Sequence, residues 1–132
     1  MEKQLGMKFD SEKARMGLLP PRALRSVADV LTFGARKYLP DNWRYVENGP
    51  ERYLDAAMRH IVAYMQGEDN DPESSLPHLS HALCCLMFIV DLSEQDAEDE
   101  RFANQMEENS PTIEEVLDSW ARNTMKELNE NQ

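Results

Sequence analysis

Apolar residues recur at spacings of three and four in four separate segments of the chain, and this helical periodicity constrains the fold more than any other feature. The segments cover about residues 22 to 38, 50 or 51 to 66, 76 to 92 and 110 to 128. Gly, Pro, Asp and Asn residues that favour turns lie between them. The pattern predicts an all-α fold, a compact helical bundle of about four helices.

The four segments differ in how they are expected to pack. Residues 8 to 21, KFDSEKARMGLLPP, contain Gly17 and two prolines and predict an extended N-terminal arm before the first helix. The third segment is apolar on all sides from Ala82 to Val90, which predicts the central helix of the core. Ser110 is the expected N-cap of the last helix. The second helix has one apolar stripe, which we expect to face the core: Leu54, Ala57, Met58, Ile61, Val62 and Met65.

The chain divides by composition near residue 92. At 132 residues it has the size of one small domain. We expect residues 1–92 to form a helical domain that handles a small molecule. Residues 93–132 read as an acidic linker followed by an amphipathic helix. The apolar stripe of that helix needs a partner surface on the domain or on another subunit, so we expect a homo-oligomer.

Charge is distributed unevenly along the sequence. Residues 1–60 hold 11 basic and 8 acidic residues, whereas residues 61–132 hold 3 basic and 17 acidic residues, for a net charge of -11. A net charge of this sign argues against a nucleic-acid polymer as partner, because such binding needs clustered Lys and Arg. The basic half suits contacts to the phosphates of a small molecule; alternatively it is simply a basic surface.

Targeting and redox signals are weak. No run of about 18 apolar residues predicts a membrane span, and residues 1–9 have no apolar signal core, so we expect no membrane association and a cytoplasmic location, the host cytoplasm if a phage encodes the protein. Cys84 and Cys85 are adjacent on a helix and point to different sides, which predicts reduced, buried thiols.

All three histidines lie at the facing ends of the second and third helices. His78 and His81 are one turn apart on one side of a helix, and His60 is near the end of the preceding helix. The loop between them carries four carboxylates: Glu68, Asp69, Asp71 and Glu73. Imidazole with carboxylate suits manganese or another transition metal, although each histidine alone is equally typical of an ordinary core or surface position.

A second polar and aromatic group flanks the turn after the first helix. Tyr38 and Trp43 are able to stack on a purine, Asn42 to hydrogen-bond a base edge, and Lys37 to contact a phosphate. Alternatively the two aromatic rings close the end of the core. Further basic candidates for phosphate contact are Lys13, Arg15 and Arg59, although Arg59 follows Asp55 by four residues and is also placed for an ion pair on the helix surface.

Three blocks of the chain, KFDSEKARMGLLPP, LTFGARKYLPDNWR and RYLDAAMRHIVAYMQGEDNDPESSLPHLSHAL, together resemble the phage domain family called dATP/dGTP diphosphohydrolase, N-terminal. The resemblance covers roughly residues 8 to 92. The family looks related to the MazG-type nucleotide pyrophosphohydrolases, which bind magnesium or manganese through carboxylate motifs on two helices. Here Arg59-His60 and His78-x-x-His81 stand at the corresponding positions, so histidines replace expected carboxylates.

The resemblance implies a metal-dependent pyrophosphohydrolase that converts dATP or dGTP to the monophosphate and pyrophosphate. It implies a divalent manganese or magnesium ion and a purine nucleotide as ligands. In this interpretation five residues hold the metal or activate water: His60, Glu68, Asp69, His78 and His81. The alternative is a non-catalytic sponge that sequesters a nucleotide signal of bacterial antiphage defence. A third possibility is an interaction module that acts through its acidic tail.

Overall fold

The protein is all-α, as predicted. The computed structural model describes residues 2–131, and within this range it contains four α-helices, two short 3₁₀ turns and no strand beyond one isolated bridge between Asn70 and Pro77. An exposed, irregular segment precedes the first helix, which confirms the predicted N-terminal arm. The helices are α1 (Pro21–Lys37), α2 (Gly49–Met65), α3 (His78–Asn109) and α4 (Ile113–Glu130).

The chain forms two compact units, and the division falls within α3. The first unit extends to Ile89 and the second begins at Val90. Our sequence-based domain assignment, with a boundary after residue 92, stays a prediction. The first unit contains α1, α2, the loop after α2 and the apolar first half of α3, so it carries all of the predicted site residues.

The core of the first unit is formed by α1 and the beginning of α3. Val27 and Val30 of α1 and Cys84 of α3 form a buried cluster, and Leu31, Leu76 and Phe88 pack around it. Pro21 suits the first turn of α1, because its missing N–H would have no partner there. Ser26 of α1 and Ser80 of α3 share a side-chain hydrogen bond that joins the two helices above this cluster.

The predicted core stripe of α2 is wrong for all but one residue. Ala57 is buried, but the five other members are exposed by between 36% and 76%. The side of α2 that meets α3 instead carries Tyr53, which contacts Phe88 edge to face, and His60. Ala57, Tyr53 and His60 therefore face the core, and the large aliphatic side chains face outward. The prediction failed because apolar periodicity alone does not say which of two possible helix faces is covered.

The helix α3 is 32 residues long, whereas its apolar pattern ends near residue 92. Beyond Leu92 the helix continues through EQDAEDERFANQMEEN, a stretch rich in good helix formers. No residue between Val90 and Asn109 is buried. The extra length was missed because a helix without a buried face has no apolar periodicity to reveal it.

The N-cap of α4 is Thr112 and not the predicted Ser110. The Thr112 hydroxyl accepts a hydrogen bond from the Glu115 N–H, and the Glu115 carboxylate accepts one from the Thr112 N–H. This reciprocal capping box satisfies two backbone donors that the helix itself leaves free. Ser110 instead donates to the Met106 carbonyl at the end of α3.

Both cysteines are free, as predicted. Cys84 is buried, and burial raises its pKa to about 12, with a smaller contribution from the neighbouring Cys85. Burial also raises the pKa of Cys85. Both groups are therefore neutral thiols that pack as small apolar side chains. Within residues 2–131, no helix has the length and apolar character that a membrane span needs.

Candidate functional site

The three histidines meet in the first unit. The Nδ1 atoms of His60 and His78 are 2.8 Å apart, within hydrogen-bonding distance. The rings of His60 and His81 are stacked, with centroids 4.6 Å apart and an angle of 12° between their planes. The structure thus brings together three residues from two helices, as the sequence predicted.

The loop between α2 and α3 is folded so that its polar side chains reach these rings. Gly67, with φ 94°, makes the turn that ends α2, and Ser75, with φ 62°, turns the chain back toward α3. The Asp71 N–H donates to the Leu76 carbonyl at 2.8 Å, and the His78 N–H donates to the Asp69 carbonyl at 2.9 Å. The loop therefore has a defined backbone conformation supported by its own hydrogen bonds.

Two histidines have polar partners from this loop. A Glu68 oxygen lies 2.6 Å from His78 Nε2, and the Ser74 hydroxyl lies 2.6 Å from His81 Nε2. Ser74 is also 3.2 Å from an Asp71 oxygen, and that oxygen is 3.5 Å from His81 Nε2. We use the name histidine cluster for His60, Glu68, Asp71, Ser74, His78 and His81.

The hydrogen bonds of His78 indicate which nitrogen of His60 is free. His78 is only 4% exposed, and both of its ring nitrogens have partners. The Glu68 carboxylate accepts a hydrogen bond from His78 Nε2–H, so Nδ1 of a neutral His78 is an acceptor. His60 then donates through Nδ1–H, which leaves a lone pair on His60 Nε2. This nitrogen is able to accept a proton or bind a cation.

The electrostatics of the cluster favour the neutral forms of His60 and His81. Burial lowers the pKa of His60, and the neighbouring His81 and His78 lower it further. Burial also lowers the pKa of His81, with His78 acting in the same direction and Asp71 and Glu73 opposing it. For Asp71, burial acts to raise the pKa, but hydrogen bonds from the Glu73 backbone and Ser74, with the charge of His81, lower it overall.

The chemistry of the cluster fits a divalent cation, because imidazole and carboxylate are the donors that manganese and similar metals take. In the described residues, however, no three His, Cys, Asp or Glu side chains are grouped as a metal centre requires. The Nδ1 atoms of His60 and His78 face each other, and Asp69 contacts His78 through its backbone carbonyl. A shared metal would therefore require these rings to turn.

Lys37, a predicted phosphate contact, forms an ion pair with the loop that carries Glu68, Asp71 and Ser74 of the histidine cluster. Its ammonium forms an ion pair of 2.5 Å with Glu73, two residues after Asp71. The Lys37 ammonium also lies 5.2 Å from the centre of the Tyr38 ring. The hydrogen bond to Glu73 raises the pKa of Lys37, with smaller contributions from Tyr38. Tyr38 and Lys37 therefore form one polar edge next to the histidine-bearing loop.

Trp43 packs into the first unit on both faces of its ring. One face stacks on Phe88 at 4.4 Å, and the Arg44 guanidinium lies 4.2 Å from the ring centre. The Tyr53 hydroxyl donates to the Trp43 carbonyl at 2.7 Å. Trp43 therefore closes one end of the core, which is the alternative to stacking on a purine base. Asn42, in contrast, is exposed in the same turn.

Among the remaining predicted phosphate contacts, Arg59 is the one whose charge reaches the cluster, where it helps to lower the pKa of His60. Lys13 and Arg15 are exposed in the N-terminal arm. Arg59 is exposed on α2, next to His60 in sequence, and it forms no ion pair with Asp55 in the structure. Conversely, sequence reasoning missed Ser74, because only the folded loop brings a serine seven residues before His81 to its ring.

Comparison with known proteins identifies the family. The model of the family described as dATP/dGTP diphosphohydrolase, N-terminal, matches residues 3–101. The chain belongs to this family. All residues of the histidine cluster lie within the matched range, whereas α4 lies outside it.

A curated relative carries a name that agrees with the family. The protein named dATP/dGTP diphosphohydrolase from Salmonella phage PMBT28 is 43% identical over 84 residues, which cover 64% of this chain and 28% of the relative. The chain therefore spans little more than a quarter of the length of the curated relative it matches. No solved structure matches the chain.

Proposed function

We propose that the histidine cluster is a hydrolytic site for purine deoxynucleoside triphosphates. The observation that carries this proposal is the chain of hydrogen bonds from Glu68 through His78 to His60, which leaves His60 Nε2 as a neutral acceptor. Family membership and the name of the phage relative support dATP or dGTP as the substrate. The activity of the whole relative need not reside in its matched part, so the test below uses this chain alone.

The proposed reaction adds water to the α-phosphorus. The water oxygen forms a bond to the α-phosphorus, its proton passes to His60 Nε2, and the bond from the α-phosphorus to the bridging oxygen breaks. The products are dAMP or dGMP and pyrophosphate. Glu68 and His78 stabilise the protonated His60, because His78 is able to relay a proton toward the carboxylate. A lowered His60 pKa keeps the acceptor unprotonated at neutral pH.

Lys37 is the proposed phosphate contact. Its ammonium is 2.5 Å from Glu73, and a triphosphate carries more negative charge than that one carboxylate, so we expect it to compete for Lys37. Tyr38 and Asn42, both exposed near Lys37 in the sequence, are the proposed contacts to the base. Lys13, Arg15 and Arg59 remain further candidates for substrate binding, whereas both faces of the Trp43 ring are already covered by Phe88 and Arg44.

We also propose that the activity depends on a divalent cation, manganese or magnesium. The predicted ligands are His60, Glu68, Asp69, His78 and His81. Their imidazole and carboxylate groups have the right chemistry once the His60 and His78 rings turn so that their nitrogens no longer face each other. A bound cation supplies neutralisation of phosphate charge and a lowered pKa for a coordinated water. Activity that persists in EDTA would assign His60 Nε2 the role of proton acceptor alone.

The test is incubation of the purified chain with dATP and dGTP, with manganese or magnesium, and separation of the products by anion exchange. We expect monophosphate and pyrophosphate in equal amounts. Glu68→Gln should lower the rate by about 100-fold, because it removes the charge that supports the proton transfer. The matched control is Glu100→Gln, an exposed carboxylate of α3 outside the cluster, and it should leave the rate unchanged.

A second candidate function is a nucleotide sponge that binds a defence signal without cleaving it. The absence of a grouped metal centre in residues 2–131 favours this alternative. Its signature would be nucleotide that binds the chain and is recovered intact after denaturation, in the presence of either metal. Intact dATP and dGTP under every condition, with binding that is lost in Glu68→Gln, would replace the hydrolase proposal with the sponge.

A further inference from the structure

The outward side of α2 carries a continuous aliphatic stripe. Its members recur at spacings of four, three, one and three residues, so they lie on one helix face. Met58 is 55% exposed and Met65 is 76% exposed. The stripe consists of Leu54, Met58, Ile61, Val62 and Met65. Single exposed apolar residues are common, but five on one face form a candidate interaction surface.

The buried core of the described chain is small, so a partner that covers more apolar surface would add to its stability. Only five apolar residues are buried, and none of them is larger than valine: Val27, Val30, Ala57, Ala82 and Cys84. Apolar burial is the main favourable term that offsets the conformational entropy lost on folding. Covering the α2 stripe would add several large aliphatic side chains to the buried set.

Two charged residues of opposite sign, Asp55 and Arg59, border the stripe and indicate what kind of partner fits it. Asp55 and Arg59 line a shallow surface depression together with Met58 and Val62. They are four residues apart, a spacing that allows an ion pair within a helix. On α1 the same spacing produces such a pair, between Arg25 and Asp29 at 3.3 Å. Asp55 and Arg59 are both exposed and form no described ion pair.

We propose that this face of α2 binds a second copy of the same chain, with the two α2 helices antiparallel across a two-fold axis. In such an isologous contact, each side presents the same patch to the other. The Asp55 carboxylate then approaches Arg59 of the partner subunit, and the reverse pair forms on the other side of the axis. Met58 lies between the two pairs, next to the axis. A face that carries both an acid and a base beside an apolar centre complements itself.

The aliphatic residues of α3 provide the competing interface. Leu79, Leu83 and Leu86 are also partly exposed on one side of α3. The helix has no charged residue from His78 to Val90, so it has no ion pair to orient a partner. The α2 face has both an apolar stripe and charges of opposite sign, which favours it over α3 as the interface.

The first test is the mass of the full chain in solution, measured by sedimentation equilibrium. We expect a dimer for the wild type and a monomer for Met58→Lys, which places two ammonium groups near the axis. The matched control is Leu117→Lys on α4, because Leu117 is 59% exposed, close to the value for Met58. This control should remain dimeric. Far-UV circular dichroism checks that each variant keeps its helices.

The second test reverses the charges. Asp55→Arg and Arg59→Asp should each raise the dimer dissociation constant at least about 10-fold, because like charges then face each other. The double variant D55R/R59D should restore the wild-type value, since the opposite pairs re-form. Asp29→Arg on α1 is the control for a general effect of charge. Urea unfolding of each variant separates this rescue from a change in the stability of α2 itself, since the two residues are four apart on one helix.

Three results would overturn the proposal. One is a monomeric wild type at concentrations up to about 100 μM, well above the dissociation constant of a stable dimer. Another is a dimer that survives Met58→Lys but dissociates in Leu83→Lys or Leu117→Lys, which would place the interface on α3 or α4. The last is a double variant no better than the single ones. None of these measurements involves catalysis, so they are independent of the proposed hydrolase activity.

Discussion

The first unit, up to Ile89, contains every buried residue of the described chain, whereas no described residue from Val90 onward is buried. In the first unit, contacts join residues far apart in sequence, such as Ser26 with Ser80 and Trp43 with Phe88. In α4 and the turn before it, the side-chain hydrogen bonds join residues three or four apart. One region depends on tertiary packing and the other on local helix signals.

This difference explains where a site is able to form. The histidine cluster needs two helices and a loop held in fixed relative positions, and only long-range packing provides that. A single helix that is stabilised by its own capping residues has side chains along its length but no second element to complete a pocket. It is therefore better suited to contact a surface than to enclose a small molecule.

The largest expected effect is on stability, and it comes from an aspartate placed in the buried half of α3. The same substitution in the exposed half of α3 should have a much smaller effect. Ala82 is 3% exposed near the start of α3, and Ala103 is exposed near its end. Ala82→Asp should lower the free energy of unfolding by at least about 3 kcal/mol, because it buries an unpaired charge. Ala103→Asp should cost about 0.7 kcal/mol, the helix propensity difference alone.

The measurement is urea unfolding followed by circular dichroism, with transitions fitted separately if the units unfold separately. Equal losses for Ala82→Asp and Ala103→Asp would mean that both halves of α3 are packed to the same degree. That result would contradict the difference in burial between the two regions of α3.

A second effect should be confined to the first unit, which holds all three histidines. The pKa values of His60 and His81 are lowered in the folded state, so the unfolded chain binds more protons at mildly acidic pH. Stability from the neutral rings is fully present above the ordinary histidine pKa of 6.5 and is lost as pH falls below it. Asp71 and Glu73, which face His81, limit the loss.

Urea unfolding in EDTA at pH 7.5 and pH 5.5 measures this effect. We expect lower stability at pH 5.5, and a smaller pH difference in His81→Gln, which keeps a polar side chain but cannot titrate. A pH difference that is unchanged in His81→Gln and in His60→Gln would assign the effect to carboxylates elsewhere.

The smallest effect concerns the capping box of the second unit. Thr112→Ala should destabilise the start of α4 by about 1 kcal/mol, because the Glu115 N–H loses its acceptor. Faster amide hydrogen exchange should appear in the first turn of α4 and not in the first unit. Ser110→Ala is the control, since Ser110 bonds to the Met106 carbonyl and does not cap α4. Equal exchange in the two variants would contradict the role of Thr112.

Much of the fold was predictable because each helix has a signal that is local in sequence. The α1 and α2 boundaries lie within about two residues of the predicted ones, where proline begins the helix and glycine or a turn ends it. The outward orientation of the α2 stripe was not predictable. An apolar face that a second subunit covers has the same pattern as one that covers its own core.

The site was predictable in part. The spacing of His78 and His81 on one helix face and the position of His60 near the preceding loop were sufficient to predict that the three would meet. The choice among the loop residues was not, because it depends on backbone conformation. Ser75 adopts φ 62°, which L-residues rarely adopt, and Ser74 reaches His81 only in that fold of the loop.

The stacking of Trp43 has a spectroscopic consequence. The chain has two tryptophans, one in each unit, and they differ in environment: Trp43 is half-buried between Phe88 and Arg44, whereas Trp120 is 67% exposed. Their emission spectra and their accessibility to a soluble quencher should therefore differ. The chain thus contains its own pair of fluorescent reporters, and replacing either one with phenylalanine isolates the signal of the other unit.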